Sequence, residues 1–242
     1  YIPVRNMFHK IESGLELPVY AGLGNMQSSS SAMSISPMGL ISACNPRQAA
    51  VETYDVAGLI HAGCSTFCRD AACAMAAAVA EAMRPGATVE SVLDASTRYL
   101  HPTSSHVMRE AIDVGLGMAR EKGEYKAFRE AYYAARLREI ISDSRETVPA
   151  SLAIVLLAEG DPRRAIEYAA NFGRDADTIA TMTGALVGAL HGVDALPPAW
   201  VDKVVAQLPD QADLARQLAE VASRKAQRAA AAAEAVAQLQ GA

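Results

Sequence analysis

The feature that most constrains the fold is an interruption between two runs of helical spacing, at Phe172-Gly173-Arg174. Before it, apolar residues recur three and four positions apart between Ala165 and Ala169, as on one face of a helix. After it, a second run begins at Ile179 and continues to Ala189. Because an interruption between two such runs marks a helix end and a helix start, the pattern predicts a turn that leads directly into a helix.

Three oxygen-bearing residues, Asp175, Asp177 and Thr178, open this second helix. Their side chains can accept hydrogen bonds from the free amides of the first turn, or they can converge on a hard cation. On spacing alone capping is the commoner role, since one aspartate can be the N-cap while the helix dipole favours the other in the first turn. The residues therefore leave a helix cap and a metal site open as alternatives.

The balance between alanine and aromatic residues favours an all-α fold. Aromatic residues are only 5% of the chain and alanine is abundant, whereas the strands of a β-sandwich need β-branched and aromatic residues. A length of 242 residues with 51% hydrophobic content is enough for one sizeable core. We expect a single helical domain over 1–242, with 202–242 as a C-terminal helical extension and with an N-terminus that is incomplete if residues precede Tyr1.

The spacing of apolar residues and of breakers predicts the individual helices. They are expected at about 4–13, 46–61, 64–84, 89–99, 106–121, 124–141, 151–158, 163–171 and 199–242. In this assignment Tyr132 and Tyr133 lie on the surface of their helix. Pro149 precedes its helix. Glu146 lies just before the same helix start, where a helix cap and a position facing the site are both open and capping is the favoured interpretation. The run 24–31 is small and polar, which is typical of a surface linker.

Charge and hydropathy exclude several kinds of partner. The net charge is −5 and the pI about 5.6, with no long basic run, so a nucleic-acid duplex is not expected as a partner. The sequence has no long uncharged apolar stretch, so we expect no membrane association and a cytoplasmic location. The alanine-rich tail 229–235 leaves an exposed helix or a subunit contact open, and with it an oligomer.

The four cysteines, Cys44, Cys64, Cys68 and Cys73, form no Cys-x-x-Cys motif. Cys64 and Cys68 are four residues apart and would share a helix face, but no second pair of Cys or His at ligand spacing completes a metal site. We therefore expect the cysteines to act as small buried apolar residues.

The region around the predicted turn carries a family resemblance. Its segments are Asn171-Phe-Gly-Arg-Asp-Ala-Asp-Thr-Ile-Ala, then Gly184-Ala-Leu-Val-Gly-Ala, then Gly192 followed by Pro197-Pro198-Ala-Trp200. Together they closely resemble the C-terminal signature of the ADP-ribosylglycohydrolase family, in which a Gly-x-Asp-x-Asp-Thr segment supplies two aspartates and a threonine to a dinuclear magnesium site. The resemblance implies an orthogonal multi-helix bundle and a hydrolase of glycosidic bonds to ribose that uses two Mg²⁺ ions. Asp175, Asp177 and Thr178 would bind the metal, both aspartates would be catalytic, and Gly173 would contact substrate.

A second segment, 32–40, resembles the family loop in which a glycine-rich turn leads into Ala-Met-Arg-Ile-Ala-Pro-Ile-Gly. By this resemblance Asn25, Ser30 and Ser31 would line the substrate pocket. Ser34 stands where the family commonly has arginine, so contacts to phosphate or ribose are expected to differ. His61 occupies a family position at a helix end, and we interpret it as a structural residue.

One family feature has no counterpart here, namely the earlier acidic segment that supplies further metal ligands. Two aspartates do not fill the six oxygen positions of Mg²⁺ unless water completes them. Three functions therefore stay open. They are hydrolysis of ADP-ribose linked to a protein or small molecule, N-glycosidic cleavage of a nucleoside or nucleotide, and binding without catalysis by a protein that kept the fold.

Overall fold

The structure is a computed structural model that describes residues 2–63 and 66–240. These residues form α-helices joined by turns, with short 3₁₀ segments at Pro18–Tyr20 and Val193–Ala195 and with no β-strand. The predicted all-α class is thereby confirmed. In chain order the α-helices are α1 Ile2–Glu12, α2 Ser30–Met33, α3 Ser36–Leu40, α4 Pro46–Gly58, α5 Thr66–Ala82, α6 Val89–Arg98, α7 His106–Lys122, α8 Tyr125–Ala135, α9 Ser144–Leu157, α10 Pro162–Ala170, α11 Ala176–His191, α12 Pro198–Gln207 and α13 Gln211–Gln240.

Helix α5 forms the centre of the bundle, and almost all of its residues from Phe67 to Ala82 are buried. Helices α2, α3, α4, α6, α7, α9 and α11 all pack against it. Its run of alanines permits this, because small side chains let helix axes approach closely. At Gly39 of α3 the approach is so close that a Cβ would lie 2.7 Å from the Cβ of Val79. The abundance of alanine thus sets the density of the core.

A smaller aromatic cluster joins α8, α9 and α11. The centroid of the Tyr132 ring lies 5.2 Å from that of Phe128 and 5.8 Å from that of Phe172. These separations are typical of aromatic pairs. The prediction that Tyr132 lies on the surface is wrong, since the residue is fully buried. Its hydroxyl donates to the carbonyl oxygen of Glu146 at 2.8 Å, which satisfies the one polar group of the ring.

Helix α9 begins at Ser144, earlier than predicted, and includes Pro149. The carboxylate of Asp143 accepts from the amide of Arg145 at 2.8 Å and caps the helix. Gly115 of α7 lies directly against Pro149. A Cβ at Gly115 would lie only 2.8 Å from the Cβ of Pro149.

The C-terminal region forms two helices instead of one, since the chain leaves the helix at Leu208, just before Pro209. Helix α13 is largely exposed. It is held against the bundle through Lys225, whose ammonium group donates to the hydroxyl of Ser42 at 2.9 Å and pairs with Glu52. The limits of the extension at 202–242 stay a prediction. None of the helices within the described ranges has the length and hydropathy needed to cross a bilayer.

Two glycines of α7 provide a test of the contact between α7 and α9. We expect Gly115→Ala to destabilise the protein by about 1–3 kcal/mol, because the added methyl group overlaps Pro149. Gly117 is exposed, and a Cβ there meets no atom within 4 Å. Gly117→Ala should therefore stabilise the helix by about 0.5–1 kcal/mol. Urea unfolding measures both values, and equal effects at the two positions would contradict the close approach.

Candidate metal and active site

The predicted turn lies between the end of α10 at Ala170 and the start of α11 at Ala176. Within it the carbonyl oxygen of Phe172 accepts hydrogen bonds from Nε of Arg129 at 2.7 Å and from the hydroxyl of Tyr133 at 2.6 Å. Gly173 has a φ of +87°, and a Cβ there would lie 2.4 Å from the Tyr133 hydroxyl oxygen. A glycine is therefore required at this position by both conformation and space.

An ion pair between the buried Glu146 and the partly exposed Arg174 fixes the residue that follows. Arg174 adopts a φ of +57°, which is rare for a residue with a side chain. Its Nε and Nη2 atoms donate to the two carboxylate oxygens of Glu146 at 2.9 and 3.0 Å. This bidentate hydrogen bonding raises the pKa of Arg174. The fully buried Glu146 also accepts from the backbone amide of Arg138 at 2.7 Å.

The interpretation of Glu146 as a helix cap is therefore wrong. The cap is Asp143, and Glu146 lies within the first turn of α9 and binds the turn before α11. The same contacts explain why α8 ends at Ala135, six residues earlier than predicted. Arg138 cannot continue the helix, because its amide bonds Glu146 and its carbonyl oxygen accepts from Arg174.

Asp175 occupies the N-cap position of α11, yet its side chain makes no capping hydrogen bond. Its Oδ2 atom instead accepts from the hydroxyl of Ser29 at 3.3 Å. Burial raises the pKa of Asp175, the polar side chain of Thr178 nearby lowers it, and the neighbouring charge of Asp177 raises it. The carboxylate thus lies at the helix start without accepting hydrogen bonds from the amides of the first turn.

A cavity of about 70 Å³ lies where α2 meets the start of α11. The residues that line it are Ser29, Ser30, Met33, Ser142, Asp175, Asp177 and Thr178. The structure therefore brings together four of the residues predicted for the site, namely both aspartates, Thr178 and Ser30. Asp177 is exposed at its surface, and Thr178 is buried and donates to the sulfur of Met33 at 3.3 Å. The lining is rich in oxygen atoms and has one thioether.

Asn25 and Ser31 do not line this cavity. The side-chain amide of Asn25 donates to the carbonyl oxygens of Pro3 and Ile60 at 3.1 and 2.8 Å. The Ser31 hydroxyl lies 2.8 Å from Nδ1 of His61. Both side chains thus hold protein segments together in this structure. Their part in substrate binding, and that of Gly173, stays a prediction.

The serine run is part of the core, and its interpretation as a surface linker is wrong. Ser28 to Ser31 are all buried. Two long-range bonds tie the run to the start of α9: the Ser144 hydroxyl donates to the Ser28 carbonyl oxygen at 2.7 Å, and the Ser29 amide donates to the Ser142 carbonyl oxygen at 2.6 Å. The hydroxyls of Ser28 and Ser31 also hydrogen-bond the ring nitrogens of His61.

His61 is fully buried, with its ring nitrogens 2.9 Å from the hydroxyl of Ser28 and 2.8 Å from that of Ser31. Burial lowers its pKa from the ordinary value of 6.5 to about 4. A neutral imidazole has one donor nitrogen and one acceptor nitrogen, which matches one hydroxyl contact at each ring nitrogen. This agrees with the structural role expected for His61.

Three contributors to the cavity, Ser29, Met33 and Ser142, were not predicted as site residues. Ser29 lies beside Ser30 in the same run, so the run itself carried that signal. Ser142 belongs to no local motif, and a long-range bond from the Ser29 amide to its carbonyl oxygen connects it to the serine run at the cavity. Sequence spacing does not encode a contact of this kind.

Cys44, Cys68 and Cys73 do not line this cavity. Cys68 and Cys73 are buried, and burial raises their pKa values to about 11 and 12, which fits the expected apolar role. Cys44 is exposed, against that expectation. Cys64, and with it the pairing of Cys64 and Cys68, lies outside the described residues.

The oxygen atoms at the cavity fit part of a magnesium site. Two carboxylates and a hydroxyl are hard ligands of the kind that Mg²⁺ prefers, and the Asp175 carboxylate makes no bond to the amides it could cap. Within 2–63 and 66–240, however, no group of three or more His, Cys, Asp or Glu side chains could hold a metal. The described residues thus supply a part of the six oxygen positions.

Comparison with known proteins identifies relatives. The family model described as ADP-ribosylglycohydrolase matches residues 3–233 of this chain. The uncharacterized protein YegU of Escherichia coli (strain K12) is 42% identical over 85 residues, which are 35% of this chain and 25% of that protein. ADP-ribosylarginine hydrolase Tri1 of Pseudomonas putida (strain GB-1) is 55% identical over 40 residues, 16% of this chain and 11% of Tri1. ADP-ribosylhydrolase ARH3 of Danio rerio is 45% identical over 60 residues, 24% of this chain and 16% of ARH3. The chain thus matches a quarter or less of the length of each relative.

The lowered pKa of His61 predicts how stability varies with pH. Between pH 6.5 and 4 the unfolded state binds the proton more readily than the folded state, so the free energy of unfolding should fall as the pH is lowered through this window. The slope from this group is at most about 1.4 kcal/mol per pH unit. His61→Gln should remove it. Urea unfolding at several pH values measures the difference between the two proteins, and identical slopes would contradict a neutral buried ring.

The pair of Glu146 and Arg174 predicts a large stability effect. Glu146→Gln removes the only carboxylate that Arg174 contacts among the described bonds, and we expect a loss of about 3 kcal/mol. The matched control is Glu90→Gln, because Glu90 pairs with Arg120 at the same 2.9 Å distance on the exposed surface. That change should cost less than about 1 kcal/mol. Chemical unfolding measures the free energy of unfolding of both variants. Equal losses in the two variants would contradict the role given to the pair of Glu146 and Arg174.

Proposed function

Because this chain belongs to the ADP-ribosylglycohydrolase family, we propose that it hydrolyses the glycosidic bond that joins ADP-ribose to a protein or a small molecule. The observation that carries the proposal is the cavity at the start of α11. There Asp175, Asp177 and Thr178 meet the serine run at Ser29 and Ser30. Family membership supports the reaction class, and the cavity supports the choice of residues.

The two aspartates match the demands of this reaction. Cleavage of a glycosidic bond builds positive charge on the sugar carbon, and carboxylates close to that carbon stabilise it. Asp177, which is exposed at the cavity, would face the substrate directly. Asp175 is half-buried and its Oδ2 atom accepts from the Ser29 hydroxyl at 3.3 Å, so it would act from the wall of the same cavity.

We further propose that Asp175, Asp177 and Thr178 bind Mg²⁺, with water or other ligands completing the coordination. A bound Mg²⁺ would supply Lewis-acid assistance to the ribose oxygens and to water. The residues of this chain would hold the ribose at the cavity through the Ser29 and Ser30 hydroxyls. The bonds from Glu146 to Arg174 would keep the aspartates in place.

The relatives' names support ADP-ribosylated substrates, and one of them specifies arginine as the linked group. ADP-ribosyl-arginine is therefore the first substrate to test. A second candidate, cleavage of a nucleoside or nucleotide, is favoured by Ser34. Its hydroxyl donates to the carbonyl oxygen of Ser30 at 2.9 Å, and no cationic side chain occupies the position where the family commonly has arginine. The product separates the two: ADP-ribose for the first and a free base for the second.

The direct test is Asp177→Asn, with release of ADP-ribose from ADP-ribosyl-arginine as the measurement in the presence of Mg²⁺. We expect kcat/KM to fall about a hundredfold or more, because one carboxylate beside the reacting carbon is lost. The melting temperature should not change, since the side chain is exposed. Chelation by EDTA should abolish turnover in the wild type, and added Mg²⁺ should restore it.

Asp194→Asn is the matched control, because Asp194 is an exposed acid in the first turn of a short helix away from the cavity. It should retain wild-type activity. Full activity of Asp177→Asn would remove Asp177 from the mechanism. A wild-type protein that binds ADP-ribose but releases no product from either substrate would support the non-catalytic alternative instead.

A further inference from the structure

A second and larger cavity, of about 600 Å³, lies between α4, α5 and the connection from α6 to α7. Val51 and Tyr54 line it from α4, Asp70 from α5, and Tyr99 and His101 from the connection. None of its lining residues lines the cavity at the start of α11. Its size is that of a small-molecule site.

Asp70 is the unusual group in this cavity. The residue is only 2% exposed, yet its Oδ2 atom has no hydrogen-bond partner within the described part of the chain. Burial raises the pKa of Asp70 to about 6, and nearby positive charges, that of Arg69 first, counteract this shift. Buried carboxylates in proteins are nearly always hydrogen-bonded. An unpartnered one that lines a cavity therefore indicates a ligand that donates to it.

The nearest basic side chains among the described residues have other partners. Arg69 donates from Nε to the Tyr54 carbonyl oxygen at 2.8 Å, and its guanidinium lies 3.6 Å from the centre of the Tyr54 ring. Arg109 donates to the carbonyl oxygen of Leu100 and to the hydroxyl of Ser105. Nδ1 of His101 accepts backbone amides of its own turn. Within residues 2–63 and 66–240, none of the hydrogen bonds made by these groups reaches Asp70.

We propose that this cavity binds a small organic cation of the guanidinium class, whose paired N–H groups donate to the carboxylate of Asp70. A guanidinium presents parallel donors that match a carboxylate, and it loses hydration more readily than an ammonium group. The walls suit the rest of such a molecule, because Val51, Tyr99 and Leu100 can cover an aliphatic stem. Asp55 also lines the cavity, with its Oδ1 atom 3.8 Å from Nη2 of Arg69.

The experiment is isothermal titration of the full chain with N-butylguanidinium and with N-butylurea, which has the same shape but no charge. We expect one guanidinium to bind per chain and the urea to bind at least about tenfold more weakly, the effect of losing a charge-assisted hydrogen bond. Asp70→Asn should weaken guanidinium binding at least about tenfold. Its circular dichroism spectrum should match the wild type.

Two further variants keep the proposal testable. Val51→Trp fills the cavity mouth from an exposed position, 59% accessible, that the fold does not need, and it should also abolish binding. If Asp70→Asn fails to fold, the affinity of Val51→Trp for the guanidinium tests the proposal in its place. Asp177→Asn tests whether the cation binds at the other cavity, and it should leave the affinity within about twofold of the wild type.

Several outcomes would overturn the proposal. They are absence of saturable binding to the wild type, equal affinities for guanidinium and urea, unchanged affinity in folded Asp70→Asn or in Val51→Trp, and loss of binding in Asp177→Asn alone. The last result would place the cation at the aspartates of α11. Because none of these measurements uses turnover, their outcome is independent of the proposed hydrolase function.

Discussion

The candidate site depends on the ion pair between Glu146 and Arg174. Glu146 is fully buried, and a carboxylate in that position is costly unless it is fully hydrogen-bonded. Two donors of Arg174 and the amide of Arg138 meet this need. In return, the pair holds Arg174 in a left-handed conformation and so sets the direction in which the chain enters α11. Asp175 follows immediately, and its carboxylate is directed to Ser29 instead of to the helix amides.

The central helix α5 connects the parts of the molecule that carry chemistry. Its alanines let seven helices pack against it. On one side the carbonyl oxygen of Cys68 accepts from Ser31, which also bonds His61 and anchors the serine run below the aspartates. Asp70, two residues further on, faces the separate cavity beside α4. Close helix packing thus supports two chemically different cavities on one scaffold.

Local patterns predicted the all-α class, most helices, and the turn that places Asp175, Asp177 and Thr178 at a helix start. The same patterns failed where a long-range contact decided the outcome. Glu146 looked like a cap because its partner lies 28 residues away in sequence. Tyr132 looked exposed because its aromatic neighbour Phe172 comes from another helix pair. The family was indicated by the resemblance and not by residue spacing. The resemblance also placed Asn25 and Ser31 in the substrate pocket, whereas in the structure their side chains bond other protein segments.

The central claim is that the carboxylates of Asp175 and Asp177 meet a divalent cation, and diffraction tests it most directly. Crystals of the chain soaked in Mn²⁺, which substitutes for Mg²⁺ and scatters anomalously, would locate the ion without reference to activity. Our account predicts an anomalous peak in the cavity at the start of α11, about 2 Å from an oxygen of each carboxylate. A map with no peak there at saturating Mn²⁺, or with its strongest peak elsewhere on the chain, would contradict it.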